Sequence, residues 1–250
     1  MDIHDRDLQL ALNDYPFFVL EGFASWCGNC KEMNVTLSKL STDLNGQITF
    51  GLINSERNNK TAKKYNITAY PMLMTFKHGV LVDTHTGYQS VPEFVGVLER
   101  LEPGLDISRV NVTAGEWFEE GFALYNQGKY NDSIEAYGKA LELDPKNESM
   151  WNNYGLGLYS LGRYDEAIEA YDRAIAISTS YADAWNNKGA ALAVQGKYGE
   201  ALVAFDKATE INPQFAKAWN NQGKALNLLN RDAEANAAFA KARELGYYIS

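Results

Sequence analysis

Histidine and cysteine are nearly missing from this chain: three and two residues out of 250. A structural zinc site needs four ligands. The cysteines supply one pair, and His4, His78 and His85 show no ligand spacing, so no metal is expected. No stretch approaches the roughly 18 apolar residues that span a membrane, so no membrane partner is expected for the chain as given. Met1 to Asp7 offer neither a basic nor an apolar leader segment, so no export signal is expected in these residues. Positive charge is also short, with 23 Lys+Arg against 32 Asp+Glu and a net charge of −9. Divided at residue 112, the chain carries −3 before it (10 basic, 13 acidic) and −6 after it (13 basic, 19 acidic). Nucleic acid is therefore not an expected partner of either part. With 46% hydrophobic and 22% charged residues the chain can bury a proper core, and its length allows one to two domains.

Both cysteines fall in one stretch, at the end of Phe17-Phe18-Val19-Leu20-Glu21-Gly22-Phe23-Ala24-Ser25-Trp26-Cys27-Gly28-Asn29-Cys30. The apolar run reads as a buried strand, and the two cysteines stand at the expected start of a helix. At a helix N-terminus the first sulfur lies beside unsatisfied N–H groups and the positive end of the helix dipole. Both favour thiolate, which is the reacting species, so Cys27 is expected as a surface nucleophile with a lowered pKa. Cys30, one turn on, is placed to attack a mixed disulfide and release the partner. Two plainer readings compete. One is a structural disulfide, which over so short a loop contributes little chain entropy. The other is a pair of inert buried thiols.

Around this stretch the pattern alternates. A short amphipathic helix spans Asp7 to Asn13, and Asn13-Asp14-Tyr15-Pro16 turns into the strand from Phe17 to Phe23. Met33, Leu37, Leu40 and Leu44 recur at helical spacing until Asn45-Gly46. Ile48 to Ile53 reads as a strand and Thr61 to Tyr65 as a short helix. Pro71 to Phe76 and Val80 to Thr84 form a hairpin about Lys77-His78-Gly79. Pro92 to Leu101 closes with a helix. No strand is expected ahead of the first helix.

Residues 5–102 resemble a thioredoxin-fold domain, and Trp26-Cys27-Gly28-Asn29-Cys30 resembles the active sites of thioredoxins and protein disulfide isomerases. The resemblance implies a redox-active Cys27–Cys30 disulfide, no other cofactor, and protein substrates bearing disulfides or thiols. Thr68-Ala69-Tyr70-Pro71 resembles the family's cis-proline loop, and Gly87 the small residue after the hairpin. Trp26, Gly28, Asn29 and Tyr70 would then border the substrate, with Pro71 beside the sulfurs. Glu21, six residues before Cys27, stands where the family keeps a buried acid; a raised pKa would let it take the proton of Cys30. Its plainer reading is an edge glutamate facing water. The sequence departs from the family in three places. Asn29 replaces the proline or histidine between the cysteines, Leu52 replaces a lysine near the buried acid, and Val35 replaces a helix-kinking proline.

Beyond Glu102-Pro103-Gly104 and a connection over 105–113 the chain repeats itself. Trp117, Trp151, Trp185 and Trp219 recur every 34 residues, each followed four residues later by Gly121, Gly155, Gly189 or Gly223. Gly128-Lys129-Tyr130, Gly162-Arg163-Tyr164 and Gly196-Lys197-Tyr198 recur in the same phase, as do Ala140, Ala174, Ala208 and Ala242. This period and pattern resemble the tetratricopeptide repeat. The expected architecture is an α/β thioredoxin-fold domain over 1–104, a linker over 105–113, and an all-α solenoid of four repeats over 114–250. In the fourth repeat Asn230, Asp232 and Asn236 replace glycine, tyrosine and an aliphatic residue, which suits a final helix facing water.

Such arrays bind a peptide or protein in the groove lined by the first helix of each repeat. The groove is expected to present Phe118, Phe122, Tyr125 and Tyr159, an amide row of Asn152, Asn186 and Asn220, and Lys217 and Lys224 at the far end. Aromatics suit apolar side chains, and amides suit the backbone of an extended segment. Phe118 and Phe122 stand where a known subclass has the Lys and Asn of a carboxylate clamp, so that clamp is not expected. An equal reading has the first-repeat aromatics dock on the first domain. The leading function is a thiol–disulfide oxidoreductase whose repeats recruit or orient protein partners. The alternatives are a redox-linked holdase chaperone and an interaction adaptor. A lone Cys-x-x-Cys suits the cytoplasm, the expected location; an extracytoplasmic one follows if a signal or anchor has been removed.

Overall fold

The structure, a computed structural model, describes residues 1–247 and divides into two compact units, Met1–Val112 and Thr113 onward. The first unit is an α/β layer arrangement. Its strands are β1 (Phe17–Phe23), β2 (Thr49–Asn54), β3 (Met72–Lys77) and β4 (Val80–Thr86), in the order β2-β1-β3-β4. β1 runs parallel to β2 and antiparallel to β3, and β3 pairs antiparallel with β4. Helices α1 (Leu8–Asp14), α2 (Gly28–Asp43), α3 (Asn59–Lys64) and α4 (Val91–Leu101) complete it.

Central β1 is buried on both faces, which is why it reads as an unbroken apolar run. Alternation along it builds two cores. Phe17 and Val19 join Met33, Leu37 and Leu40 of α2 and Phe94, Val95 and Leu98 of α4. Phe18 and Leu20 join Leu8 and Leu12 of α1 with Ile53, Met74 and Phe76. Ser90 caps α4 by accepting the Glu93 N–H. His78 and Gly79 take positive φ (48° and 77°), the left-handed pair a tight hairpin demands.

Two expectations need correction. Ahead of α1, Met1 to Ile3 lies along the edge of β2: Ile3 N–H donates to Leu52 O (2.7 Å) and Leu52 N–H to Met1 O (2.8 Å). One parallel bridge, Asp2 to Leu52, is too short to leave a period in the sequence, yet it seats Ile3 at 4% exposure. The 105–113 segment is likewise more than a linker. Leu105, Ile107, Val110 and Val112 pack on the α2/α4 core, and Gln47 bonds both the N–H and the C=O of Asp106 at 2.9 Å. Its contacts are single side chains at irregular intervals, invisible to a periodicity argument.

Among its described residues the second unit pairs eight helices in four antiparallel hairpins: α5 (Ala114–Asn126) with α6 (Tyr130–Leu143), α7 (Glu148–Ser160) with α8 (Tyr164–Ile177), α9 (Ala182–Val194) with α10 (Tyr198–Ile211), and α11 (Ala216–Leu228) with α12 (Asp232–Glu244). Thr113 and Glu116 form a reciprocal capping box at its start. The repeated glycines exist for close approach. A Cβ on Gly121, Gly155, Gly189 or Gly223 would lie 2.6, 2.6, 2.7 and 2.6 Å from the ring of Tyr137, Tyr171, Phe205 and Phe239. The repeated tryptophans fasten the turns between repeats, since the indole N–H of Trp151, Trp185 and Trp219 donates to the carbonyl of Pro145, Thr179 and Pro213. Asn230 takes φ 58° where Gly128, Gly162 and Gly196 take 76–77°, asparagine being the next residue to accept that conformation. Asn236 is exposed where Ile134, Ile168 and Leu202 pack under a following helix. A polar residue there suits the exposed position it takes on α12.

Candidate functional site: a cysteine pair at a helix N-terminus

Cys27 is the N-cap of α2, with extended backbone (φ −76°, ψ 111°), and its sulfur accepts the Cys30 N–H at 3.1 Å. One of the orphan donors of the helix start is thus aimed at the sulfur itself. The two cysteines are joined as a disulfide, S–S 2.10 Å. Cys27 retains 7% of its surface and Cys30 3%, so both cysteines are buried, which corrects the expectation of Cys27 as a surface nucleophile. The reason is local: the sulfurs turn towards each other and pack with Ala24, Phe23 and Tyr70. Its neighbours Ser25, Trp26, Gly28 and Asn29 are all exposed.

Tyr70, which packs on the pair, leads to further aromatic and backbone groups. Trp26 is 72% exposed and meets the Tyr70 ring edge-on at 5.5 Å. The Tyr70–Pro71 peptide is cis. Pro71 is buried, and its carbonyl accepts the N–H of Gly87, which takes φ 97°. Tyr88, 43% exposed, comes directly after it.

Glu21 is 0% exposed and neither carboxyl oxygen has a hydrogen-bond partner. In register it sits between Leu52 of β2 and Leu73 of β3, so no cation answers it across either strand pair. Burial alone pushes its pKa up to about 8. Strand alternation puts it on the face of Phe17 and Val19, the face that α2 covers. The result is a neutral acid at pH 7 that one proton transfer makes a base.

Sequence reasoning missed Glu56, which lies beyond β2 and carries no motif. Its carboxylate bonds the Ser25 hydroxyl, the Ser25 N–H (2.8 Å) and the Trp26 side chain, contacts that hold it below the usual carboxylate range. It fastens the loop that carries Trp26 into Cys27.

In the second unit the first helices α5, α7, α9 and α11 neighbour one another and form one face. Phe122 is 48% exposed there and Lys224 is exposed. Phe118 is half-buried against Tyr137 (ring centroids 5.6 Å), and Tyr125 and Tyr159 are half-buried against Tyr130 and Tyr164 (5.3 Å each). The amide row is a correction: Asn152, Asn186 and Asn220 are buried at 5, 1 and 2% and do not line an open groove. Asn187 Nδ2 donates to Asn152 Oδ1 and Asn221 Nδ2 to Asn186 Oδ1, both at 2.9 Å. These amides clasp successive repeats together, and the half-exposed amides are Asn153, Asn187 and Asn221. A period of 34 cannot tell two adjacent asparagines apart; only the helix phase does.

A cysteine pair on a helix N-cap over a buried acid, followed by stacked helical hairpins, defines a redox domain joined to protein-interaction repeats. Residues 3–100 match the thioredoxin family, and residues 118–182 and 182–215 match tetratricopeptide repeat families. Thioredoxin from Staphylococcus aureus is 32% identical over 82 residues, which are 33% of this chain and 79% of that protein. Protein disulfide-isomerase A3 of Gallus gallus is 30% identical over 101 residues, 40% of this chain, which spans a fifth (20%) of that relative. The crystal structure of MamA superposes with a TM-score of 0.52 at 27% identity, covering 62% of this chain and 85% of that one. The chain belongs to the thioredoxin family, with tetratricopeptide repeats following the thioredoxin domain.

Proposed function

We propose that the protein is a thiol–disulfide oxidoreductase acting on other proteins, with its repeats holding the partner near the cysteines. The observation that carries this reading is Cys27 as N-cap sulfur of α2, bonded to the Cys30 N–H, on the sheet face of an unpaired buried carboxyl. In the reduced protein the Cys27 thiolate attacks one sulfur of a substrate disulfide. A Cys27–substrate bond forms, the substrate S–S bond breaks, and the second substrate sulfur leaves as thiolate and takes a proton. Glu21, protonated at rest, first releases its proton to solvent; its carboxylate then takes the proton of Cys30, and Cys30 attacks Cys27. The Cys27–Cys30 bond re-forms, the substrate leaves as a second thiol, and two electrons have passed from the cysteine pair to the substrate. A dithiol reductant restores the pair. A substrate tethered in the repeats meets Cys27 at raised effective concentration without new chemistry.

The test is reduction of an interchain protein disulfide with dithiothreitol as electron source. Wild-type protein accelerates it and Cys27→Ser does not, while Cys30→Ser accumulates substrate as mixed disulfides. Equal turnover by wild type and Cys27→Ser refutes the proposal.

A further inference from the structure

The face formed by α5, α7, α9 and α11 changes chemistry in one direction. At one equivalent turn, 34 residues apart, it presents Phe122, Leu156, Ala190 and Lys224. Phe122 and Lys224 are exposed, and Leu156 and Ala190 half-buried. The row runs from a large ring, through aliphatic and small side chains, to a cation.

The cationic end has further parts. Lys217, exposed, lies seven residues before Lys224 on α11, so two turns put both on one side of the helix. Neither lysine makes an ion pair among the described residues, whereas Lys188, Lys207 and Lys241 pair with Asp172, Glu210 and Glu244. Between them Asn220 holds a buried Nδ2 with no acceptor. Apolar surface continues beside the row, with Val194 and Leu228 at 51 and 55% exposure. The acids of these first helices are Glu116, Glu119 and Glu120 on α5, Glu148 on α7 and Asp183 on α9, and Asp183 stands one repeat before Lys217. Asp183 lies in the first turn of its helix, where the dipole favours it.

Two lysines without ion pairs among the described residues, at one end of an apolar face, complement negative charge locally, against the −6 that the unit as a whole carries by sequence. We propose that this face binds an extended, acidic polypeptide segment. Its large apolar side chain sits on Phe122 and Leu156, its small residues pass Ala190, and its carboxylates reach Lys217 and Lys224. Four adjacent helices at about 8–10 Å spacing put roughly 25–30 Å between Phe122 and Lys224, the span of about eight or nine extended residues. Asn153, half-exposed on the way and donating to Ser149 O, offers its remaining amide capacity to the passing backbone, while Asn187 is engaged by Asn152 and Asn186. This deepens the proposed function by giving the chemistry of the partner that the repeats hold.

The probe is a fluorescein-labelled peptide of about twelve residues, longer than the roughly nine-residue span. It carries a Phe-Leu pair at one end, a Gly/Ser/Ala middle and three acidic residues at the other, and is supplied in both chain directions. Fluorescence anisotropy is read on full-length wild type and on full-length Cys27→Ser. Binding by both is expected, weakening as salt is raised. The double variant Lys217→Glu, Lys224→Glu loses about tenfold or more in affinity for the acidic peptide and gains a peptide with lysines in place of the acids. Phe122→Ser costs about tenfold for either peptide. The charge-swapped pair keeps the test valid whatever the variant does to stability, because a misfolded array gains no ligand. Equal affinity for acidic and uncharged peptides, or binding indifferent to charge reversal, overturns the inference. Such a failure leaves disulfide reduction by the wild type standing, and failure of disulfide reduction leaves binding by Cys27→Ser standing.

Discussion

Replacing Glu21 by leucine should stabilise the first unit, and by an amount that depends on pH. The carboxyl is 0% exposed, has no partner for either oxygen, and has its pKa pushed from 4.5 to about 8. Below pH 4.5 it is protonated in folded and unfolded chains alike, and the folded state bears no ionisation cost. As pH rises the unfolded chain releases this proton while the folded one keeps it, so stability falls through the window from 4.5 to about 8. Each unit is worth about 1.4 kcal/mol, so the loss is on the order of 3 kcal/mol at pH 7 and 4–5 kcal/mol at pH 9. Leucine removes the titrating group and the two unsatisfied oxygens while keeping an apolar filling between Leu52 and Leu73. The assay is urea unfolding of wild type and Glu21→Leu from pH 5 to pH 9, followed by the NMR amide signals of β1 and β3, which report the first unit alone. The variant should be the more stable at pH 7 and its advantage should grow by several kcal/mol between pH 5 and pH 9. An advantage that is constant over this range, or shrinks as pH rises, refutes the account of Glu21 as a buried acid without a partner. In the disulfide-reduction assay the same variant should slow release of the mixed disulfide, since Cys30 then lacks its base.

The repeats allow sharper tests of packing. Tyr171 has a buried hydroxyl with no partner; its counterpart Tyr137 bonds Ser133, but the residue one repeat on is Ala167. Tyr171→Phe, the residue already present at 205 and 239, should stabilise the array by about 1–2 kcal/mol in thermal or urea unfolding, and a loss of stability would contradict the missing bond. Gly155→Ala drives a Cβ to 2.6 Å from the Tyr171 ring and should destabilise by about 1–2 kcal/mol net of helix propensity. Gly138→Ala, with nothing within 4 Å, should instead stabilise by up to about 1 kcal/mol, so the same chemical change is expected to have opposite signs.

Much of the architecture was legible because its signals are periodic or chemically exclusive. The apolar run from Phe17 to Phe23 has to be a doubly buried strand, and the Trp-to-Gly spacing repeated at 34 residues has to be stacked hairpins. The polar substitution in the fourth repeat was legible too, and Asn236 is exposed among the described residues. What escaped was aperiodic. The bridge of Asp2 to Leu52 is one residue long, the packing of 105–112 rests on scattered side chains, and Glu56 reaches Ser25 across 31 positions of chain. The row of Asn152, Asn186 and Asn220 lies one residue out of phase with the open face. A helix advances 100° per residue, so a single position separates a buried clasp from a groove.

The sequence by itself determined that two kinds of unit are present, that the only sulfur chemistry lies at Cys27 and Cys30, and that the second half is a four-fold repeat. Those properties reside in residue identity and spacing, which survive without coordinates. Only the tertiary structure decided that Cys27 is buried, that Glu21 has no partner, and that the asparagines join repeats to one another. Each depends on what lies across a strand or against a helix face, and that neighbour comes from a distant part of the chain brought near by folding.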